Sequence, residues 1–262
     1  VAEDDYKKVK RLLKEGPIAI SDIKDDTPKE KQHEWDSKKP SKRALQLGFY
    51  KGEFVVSRRE GMLKIYDLAE RHFEWKQKPK AVSEKQYINY IIDRSLRSQG
   101  LVSLDSICHL NPSQKKLTEV ELNKRVQSSE LIEVELEETS KIKHWMRPET
   151  LDCKPKLSTL THILSPFDPL IIQRKRLNLF FDYNHVFEAY VPKEKRKFGY
   201  FTLPILSGNQ IIAALDLKAD RQNQELLIQN WVWLKKFKSA TNKKIIEDEL
   251  HRFEKLQLAV EK

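Results

Sequence analysis

The sequence predicts an α+β fold: two consecutive units of three helices and a β-hairpin, then a small antiparallel β-rich domain that closes with a helix. Three observations predict it. Helical spacing of apolar residues precedes paired strand-like runs in residues 1–78, the same order returns in residues 79–150, and strand-like runs dominate residues 151–262. Three helices and a hairpin is the order of a winged helix. We therefore expect tandem winged-helix domains followed by a half-barrel.

The first unit, residues 1–78, begins with a helix over Tyr6–Glu15 that Gly16-Pro17 ends. Its other predicted elements follow in chain order: a short helix over Ile18–Ile23, a charged mobile loop over Asp25–Lys39, a helix over Pro40–Tyr50 with proline in its first turn, and strands over Glu53–Arg59 and Met62–Asp67. Glu60-Gly61 between the two strands indicates a tight hairpin.

The second unit, residues 79–150, repeats that order without repeating the sequence. Its predicted elements are a helix from Ser83 to Gln99 ended by Gly100, a short helix from Ser103 to about His109, a helix from Asn111-Pro112 to about Ser129, and hairpin strands over Leu131–Glu137 and Lys141–Met146. Serine at a helix start and glycine after a helix end are the usual capping residues, so these boundaries are the sharpest of the unit.

The third domain, residues 151–262, changes character at the proline-rich stretch Ser165–Leu170. The predicted elements after it are a basic helix over Ile171–Phe181, strands over Val186–Val191, Phe198–Leu206, Gln210–Leu217 and Glu225–Val232, and a helix over Asn242–Leu258. Several short strands joined by tight turns favour an antiparallel sheet rather than a parallel one.

Composition and charge narrow the class of protein. The 262 residues carry 49 Lys and Arg against 39 Asp and Glu, a formal net charge of +10 and an isoelectric point near 9.3. That excess favours a polyanionic partner. No apolar run approaches the ~20 residues of a membrane-spanning helix, and the acidic start Val1–Asp5 does not resemble a signal peptide. We expect a soluble cytoplasmic protein with no membrane partner.

Cofactor and metal signals are missing from the sequence. Cys108 and Cys153 stand far apart without a Cys-x-x-Cys pair, which excludes a disulfide scaffold and a zinc ribbon. There is no Gly-x-x-x-x-Gly-Lys loop, Gly-x-Gly-x-x-Gly or Gly-x-Ser-x-Gly. His162, His185 and Glu188 are too few for a metal site. We therefore expect no cofactor and no metal.

Four stretches together resemble the YcaQ family of winged-helix DNA glycosylases (AlkZ type), and the resemblance spans nearly all of residues 5–258. They are Gly16-Pro17 with Lys39–Leu45 and Gly52–Arg59, Ile65-Tyr-Asp-Leu68, Leu164-Ser-Pro-Phe-Asp-Pro-Leu170 running into Arg174–Arg176, and Tyr190–Tyr200 with Leu203-Pro204 and Leu217–Arg221. The resemblance implies tandem winged helices and a β-rich domain that clamp duplex DNA, in monomeric, nucleoid-associated enzymes that excise alkylated purines and unhook some interstrand crosslinks by hydrolysing the N-glycosidic bond.

The family's catalytic motif has no match in this chain. The motif is Gln, an aliphatic residue, then Asp or Gln, in an N-terminal winged helix that precedes the part matched here. The nearest stretches, Gln222-Asn-Gln224 and Gln257-Leu-Ala259, lie in the third domain. We therefore assign no catalytic residue, and we expect this chain to be the DNA-binding scaffold of such a glycosylase, unable to catalyse alone.

The DNA-binding residues that we predict lie in four short stretches and are basic, apart from one serine and one tyrosine. They are Lys39, Ser41, Lys42 and Arg43 at the start of a helix; Arg58 and Arg59 before the hairpin tip; Arg174, Lys175 and Arg176; and Lys193, Lys195, Arg196 and Lys197 with Tyr200. A helix N-terminus attracts phosphate, and the hydroxyl of Ser41 could donate to the same oxygen. Phe198 and Tyr190 interleave further aromatic rings with the cations, as in many nucleic-acid surfaces.

Other interpretations stay open for several of these residues. A lysine-rich helix start is often only a solvated face. Strand alternation places Arg58 and Arg59 on opposite sides, so one should face inward, where a salt bridge to Glu53 or Asp67 competes with DNA contact. Asp168 could be catalytic, but an Asp before a helix more often caps it.

Two other function classes also fit the sequence. A stand-alone tandem winged-helix transcriptional regulator would prefer one DNA sequence, because it would read base edges. A protein-interaction module would have no DNA affinity even at low salt.

Overall fold

The structure is a computed structural model that describes residues 3–24, 39–137, 142–154, 156, 158–234 and 237–259. The chain divides into two compact units, Val1–Val82 and Ser83–Lys262. From here on, the second unit means Ser83–Lys262, which contains most of the predicted second unit and all of the predicted third domain. It is a mixed α/β structure with antiparallel sheets and a C-terminal helix. The three-domain division drawn from the sequence stays a prediction. Across the described ranges, no helix is both long enough and apolar enough to span a bilayer.

The first unit is a small α/β module around a three-stranded sheet. Its elements are α1 (Glu3–Glu15), β1 (Ile18–Ala19), a 3-10 turn (Ile20–Asp22), α2 (Pro40–Tyr50), β2 (Phe54–Glu60), β3 (Leu63–Leu68) and α3 (Ala69–His72). The sheet is antiparallel in the order β1-β3-β2. The helix predicted over Ile18–Ile23 is confirmed only as the 3-10 turn Ile20–Asp22, because Ile18 and Ala19 instead pair with Tyr66 and Ile65 of β3.

Packing of α1 and α2 onto the sheet forms the core of this unit. Val9, Leu13, Leu45 and Phe54 are all fully or almost fully buried. Gly48 of α2 lies flat against Phe54, since a Cβ at this position would be 2.0 Å from the phenylalanine ring. The predicted loop over Asp25–Lys39 lies outside the described residues except for Lys39.

The helical part of the second unit follows the sequence prediction closely. Its elements are α4 (Glu84–Gln99), α5 (Leu104–Ile107), a 3-10 turn (Pro112–Gln114), α6 (Lys115–Gln127), β4 (Ile132–Val134), β5 (His144–Met146) and α7 (Pro148–Leu151). Ser83 caps α4 through a capping box with Gln86, and Gly100 adopts φ +68° beyond its end. Val102 forms a bridge to Trp145, which is fully buried in the core between the helices.

The remainder of the second unit is built on a four-stranded antiparallel sheet. Its elements are β6 (Thr161–Ile163), α8 (Pro169–Ile172), α9 (Arg174–Phe181), a 3-10 turn (Lys193–Lys195), β7 (Thr202–Ser207), β8 (Gln210–Asp220), β9 (Glu225–Trp233) and α10 (Ala240–Leu258). The strand order is β6-β7-β8-β9. Ile246 and Leu250 of α10 pack against Ile205 and Leu215 of the sheet.

Several predictions for this region need correction. The predicted strand over Val186–Val191 is irregular backbone, and the strand predicted from Phe198 begins only at Thr202. The basic helix is broken at Gln173 into α8 and α9. Strand β6 was not predicted, because three residues give no alternation signal. The described strands form an open antiparallel sheet with β6 and β9 at its edges. Its curvature as a half-barrel stays a prediction.

Candidate functional site

The start of α2 exposes two lysines and buries a serine. Lys39 is the N-cap residue and Lys42 lies in the first turn, and both are exposed, while Arg43 is half-buried. Ser41 is only 2% exposed, so its hydroxyl lies inside the unit. The buried Ser41 hydroxyl therefore cannot donate to a phosphate at the protein surface, contrary to the expectation from the sequence. The lysines keep the position at the positive end of the helix dipole.

The β2–β3 hairpin carries its cations on both faces. A bulge at Ser57 shifts the register, so that Arg58 lies opposite Ile65 and Arg59 opposite Lys64. Both arginines are exposed, and the expectation that one faces inward is wrong because the strands extend beyond the core here. We did not predict Lys64 as a DNA-binding residue, although it is exposed on the same face as Arg59. The register of the hairpin, which places Lys64 opposite Arg59, identifies it.

The salt bridges suggested for these arginines are formed by other residues. Glu53 binds Lys10, with Nζ 2.5 Å from Oε2, and this bond holds the pKa of Glu53 below its usual value. Asp67 accepts from Nε of Arg71 at 2.8 Å. Within the described ranges, Arg58 pairs with the exposed Glu60 at 3.2 Å, a contact that contributes little to stability. The hairpin arginines are thus presented to solvent.

The three basic residues of α9 differ in their contacts and in their exposure to solvent. Arg176 donates to the carbonyl oxygens of Leu101 (2.8 Å) and Gln99 (3.3 Å), so it ties α9 to the end of α4, and burial lowers its pKa. Arg174 donates to the carbonyl of His185 at 2.7 Å while remaining largely exposed. The Lys175 side chain is 92% exposed, with Nζ 3.7 Å from Asp105.

A cavity of about 620 Å³ lies beside α9, lined in part by all three of these residues. His144 also lines it and is buried; burial and the charge of Arg176 lower the pKa of this histidine despite a bond from its Nδ1 to the carbonyl of Ile142. Lys115 lines the same cavity and pairs with Asp105, whose pKa is lowered mainly by that bond. The cavity is therefore lined by a neutral buried histidine, by the Asp105–Lys115 ion pair and by the cationic side chains of α9.

The basic loop before β7 is fixed by two buried carboxylates. Glu188, 3% exposed, accepts the backbone N–H groups of three successive residues: Lys197 at 2.6 Å, Phe198 at 2.7 Å and Gly199 at 3.2 Å. Asp216 accepts the next two, Tyr200 at 2.6 Å and Phe201 at 3.2 Å. Burial alone would raise the pKa of Glu188, but the N–H donors hold it below its usual value.

Gly199 is required at the junction between the two carboxylates. It adopts φ +149°, and a Cβ there would lie 2.3 Å from Oδ2 of Asp216. Five successive amides thus point inward, and the loop turns several of its side chains outward. Lys193, Lys195 and Lys197 are exposed, and Tyr200 is 54% exposed.

Two further residues of this loop differ in their access to solvent. Arg196 donates from Nε to the carbonyl of Val191 at 2.8 Å, and its guanidinium lies 5.0 Å from the centre of the Tyr200 ring. Phe198 is 5% exposed and belongs to the interior, so it is unavailable as a stacking residue. The sequence could not separate Phe198 from Tyr200, because both alternate with lysine and glycine.

An exposed aromatic cluster adjoins this loop and was missed as a cluster in the sequence. Its rings come from three separated positions in the chain: Phe167 after β6, Phe187 and Tyr190 after α9, and Phe201 before β7. Ring centres lie 5.4–6.0 Å apart between neighbours. No periodicity links these positions, so only the tertiary structure brings them together.

The remaining candidate residues have structural environments. Asp168 caps α8, with Oδ1 accepting the N–H of Leu170 at 2.8 Å, as the capping interpretation predicts. His185 is 4% exposed and burial lowers its pKa to about 4, with Nδ1 3.3 Å from the Tyr183 hydroxyl. Among the residues that the structure describes, no three His, Cys, Asp or Glu side chains group as metal ligands would.

Comparisons with known proteins give a family and a structural relative. A family described as DNA glycosylase AlkZ-like matches residues 1–256 of this chain. The solved structure of Streptomyces sahachiroi DNA glycosylase AlkZ is similar, with a TM-score of 0.56 at 14% sequence identity, over 94% of this chain and 64% of that one. The chain thus spans about two thirds of the length of AlkZ, and at this identity the likeness establishes the fold alone.

The family match extends from the first helix through most of the last, so it includes both compact units and every cationic stretch described above. On that match, the chain belongs to the AlkZ-like DNA glycosylase family.

Proposed function

We propose that this chain holds duplex DNA as the DNA-binding part of a repair glycosylase. One observation carries the proposal: the basic loop of residues 193–200 is pinned from inside by Glu188 and Asp216 while its lysines are exposed. A solvated turn needs no such anchoring. A loop whose backbone is already held, by contrast, loses little backbone entropy when its lysines meet the phosphates of DNA.

The element order supports a winged helix in each unit. In the first unit, α2 follows the short strand β1, and β2 and β3 form the hairpin in a sheet of order β1-β3-β2. In the second, α4, α5 and α6 precede the β4–β5 hairpin. We assign α2 as the recognition helix of the first unit and the β2–β3 hairpin as its wing.

The proposed contacts with the DNA backbone come from exposed or half-buried cations in both units, together with one exposed tyrosine. They are Lys39, Lys42 and Arg43 at the start of α2, Arg58 and Arg59 on the wing, Arg174 and Lys175 of α9, and Lys193, Lys195, Arg196 and Lys197 with Tyr200. Arg176 would act as a positioning residue, because its guanidinium is committed to two carbonyl oxygens. Lys64 joins the set on the wing face of Arg59.

We assign no hydrolytic step to these residues. The Gln-aliphatic-Asp or Gln-aliphatic-Gln motif that the family resemblance implies has no match in the chain, and Gln222-Asn-Gln224 lies in the turn between β8 and β9. The role proposed here is binding and orientation of the duplex by a single copy of the chain, in the nucleoid, without metal or cofactor. From the resemblance, the excised base would be an alkylated purine, including purines in some crosslinks.

Fluorescence anisotropy with a labelled 20-base-pair duplex tests the proposal. If about six phosphates are neutralised, the logarithm of the binding constant should fall with that of salt concentration at a slope near −5, from about −0.9 per contact. Changing Lys193, Lys195 and Lys197 to Gln should reduce the slope by up to about 2.7. A matched control changes Lys243, Lys244 and Lys255, also exposed, on α10. A wild-type slope near zero would contradict the proposal.

Selection from random duplexes separates the proposal from a regulatory function. Backbone contacts carry no sequence information, so the selected pool should stay diverse. A sharp selected motif would favour a tandem winged-helix regulator. Absence of binding at low salt would favour a protein-interaction module.

A further inference from the structure

We infer that the aromatic cluster of Phe167, Phe187, Tyr190 and Phe201 is a stacking surface for an unpaired nucleobase. The chain would then bind DNA that contains an unstacked base more tightly than a fully paired duplex. This inference rests on the proposed function, because it requires DNA to reach the basic loop, but it adds a site and a ligand that backbone contacts do not imply.

The four rings form one connected group. Phe167 lies 5.4 Å from Phe187 and 6.0 Å from Phe201, centre to centre, and Phe187 lies 5.7 Å from Phe201. Tyr190 meets Phe187 edge-on at 6.0 Å. Phe187 and Phe201 are half-buried and form the floor of the group, while its outer rings reach solvent.

The outer rings of the cluster reach solvent. Phe167 is 60% exposed and Tyr190 is 74% exposed. Single exposed apolar side chains are common, but here the two exposed rings belong to one group of four aromatic side chains in contact. Exposed apolar surface that is grouped in this way occurs at binding sites.

The backbone that carries Phe167 is held by hydrogen bonds in spite of the exposure of the ring. Its backbone N–H donates to the Ser165 hydroxyl at 3.2 Å, and the N–H of Asp168 donates to the Ser165 carbonyl at 3.0 Å. Asp168 then caps α8 through the N–H of Leu170. Because this backbone is ordered before any ligand arrives, stacking on the ring costs no backbone entropy there.

Positive charge next to the rings identifies a nucleic acid as the occupant. Tyr190 leads directly into the basic loop, and Arg196 is bonded to the carbonyl of Val191, one residue beyond Tyr190. Arg196 also stacks on Tyr200, whose ring is exposed. Rings bordered by Arg and Lys are the arrangement that binds bases by stacking and the adjoining phosphates by charge. An apolar protein segment would offer no anionic group to the exposed lysines of this loop.

The experiment compares three labelled duplexes that differ at one position: fully paired, with a base opposite an abasic site, and with 2-aminopurine as that unopposed base. We expect wild-type chain to bind the second about tenfold more tightly than the first, as stacking of one base allows. Binding should also quench the 2-aminopurine fluorescence in the third.

The variants separate stacking from bulk and from folding. Phe167→Ala and Phe167→Leu should both lose the preference and the quenching, since leucine keeps volume but has no π face, whereas Phe167→Trp should retain them. Affinity for the fully paired duplex should stay unchanged in all three. Tyr90→Ala is the matched control, because Tyr90 is 54% exposed on α4 and outside the cluster. Unfolding midpoints verify that each variant is folded.

The outcomes distinguish the inference from the proposed function. Equal binding of paired and unopposed-base duplexes, with no quenching, would overturn the inference and leave the proposed function standing. No binding of any duplex would overturn both. Concentration-dependent self-association that Phe167→Ala abolishes would assign the cluster to a second copy of the chain and also overturn the inference.

Discussion

Replacing Glu188 by Gln should loosen the basic loop while preserving the shape of the side chain. Both oxygens of the carboxylate are used: Oε1 accepts from Lys197, and Oε2 accepts from Phe198 and Gly199. An amide offers only one acceptor. Glutamine must therefore leave at least one of the three N–H groups facing another donor.

The size of the effect follows from that geometry. The favourable orientation of glutamine turns its oxygen to Phe198 and Gly199 and leaves only the Lys197 amide unsatisfied, at a cost of about 1–3 kcal/mol. The two retained hydrogen bonds become neutral rather than charge-assisted, and each loses about half of its strength. We expect the free energy of unfolding to fall by about 3 kcal/mol at pH 7.

The same group predicts a pH dependence. Because the folded-state pKa of Glu188 lies below that of the unfolded chain, about 4.3, the stabilisation is fully present above about pH 4.3 and is lost as the pH falls through the folded-state value. Glu188→Gln has no proton to take up there. The difference in stability between wild type and variant should therefore shrink below pH 4.

Urea unfolding followed by tryptophan fluorescence at pH 7 and pH 3.5 measures both effects. Glu194→Gln is the control, because Glu194 is exposed in the same loop and its substitution should change stability by less than about 0.5 kcal/mol. A Glu188→Gln variant as stable as that control at pH 7 would refute the anchoring of the loop by this carboxylate. We also expect the variant to bind duplex DNA more weakly, since the lysines lose their fixed support.

Three further predictions concern packing and charge elsewhere. Gly48→Ala should destabilise the first unit by about 1–3 kcal/mol, read as faster hydrogen exchange in α2, because the new methyl group would overlap the buried ring of Phe54; unchanged exchange would contradict this packing. Arg125→Ala should cost about 3 kcal/mol in urea unfolding, near the lower limit for a buried pair because the Asp93 side chain is 34% exposed; a loss below 1 kcal/mol would show the pair to be dispensable. His185 should stay neutral at pH 5.5, as measured by ring ¹⁵N spectra. Because its folded-state pKa of about 4 lies below the unfolded value of about 6.5, its contribution to stability should decline as the pH falls below 6.5. A titration midpoint near 6.5 would refute its burial.

Local signals predicted the elements well where capping residues or tight turns mark their ends. Proline in the first turn marks the start of α2, and Ser83 and Gly100 mark the two ends of α4, because capping depends on neighbours within four residues. Short or irregular segments failed. Ile18–Ala19 pairs with a strand almost fifty residues away, and Val186–Val191 has strand-like residues but forms irregular backbone.

The types of residue in the candidate site were predicted more reliably than their exposure to solvent. Lysines of the 193–197 loop are exposed as expected, since a charged side chain without a partner is costly to bury. Ser41 and Phe198 are buried, and Arg176 is engaged by carbonyl oxygens from a different helix. Small polar, aromatic and guanidinium groups are all tolerated inside, so their type alone does not reveal where they lie.

The sequence by itself determined the helices and strands whose ends are marked by caps or tight turns, the excess of positive charge and the motifs that mark the family, because each of these depends on composition or on residues close together in the chain. Only the tertiary structure decided which cations reach solvent, which carboxylates hold the basic loop, and that Phe167 meets Phe187 and Phe201. Each of these outcomes depends on contacts between segments that are not neighbours in the chain, and Phe167 and Phe201 are more than thirty residues apart. Such contacts are set by the packing of the whole core, and no local sequence pattern encodes them.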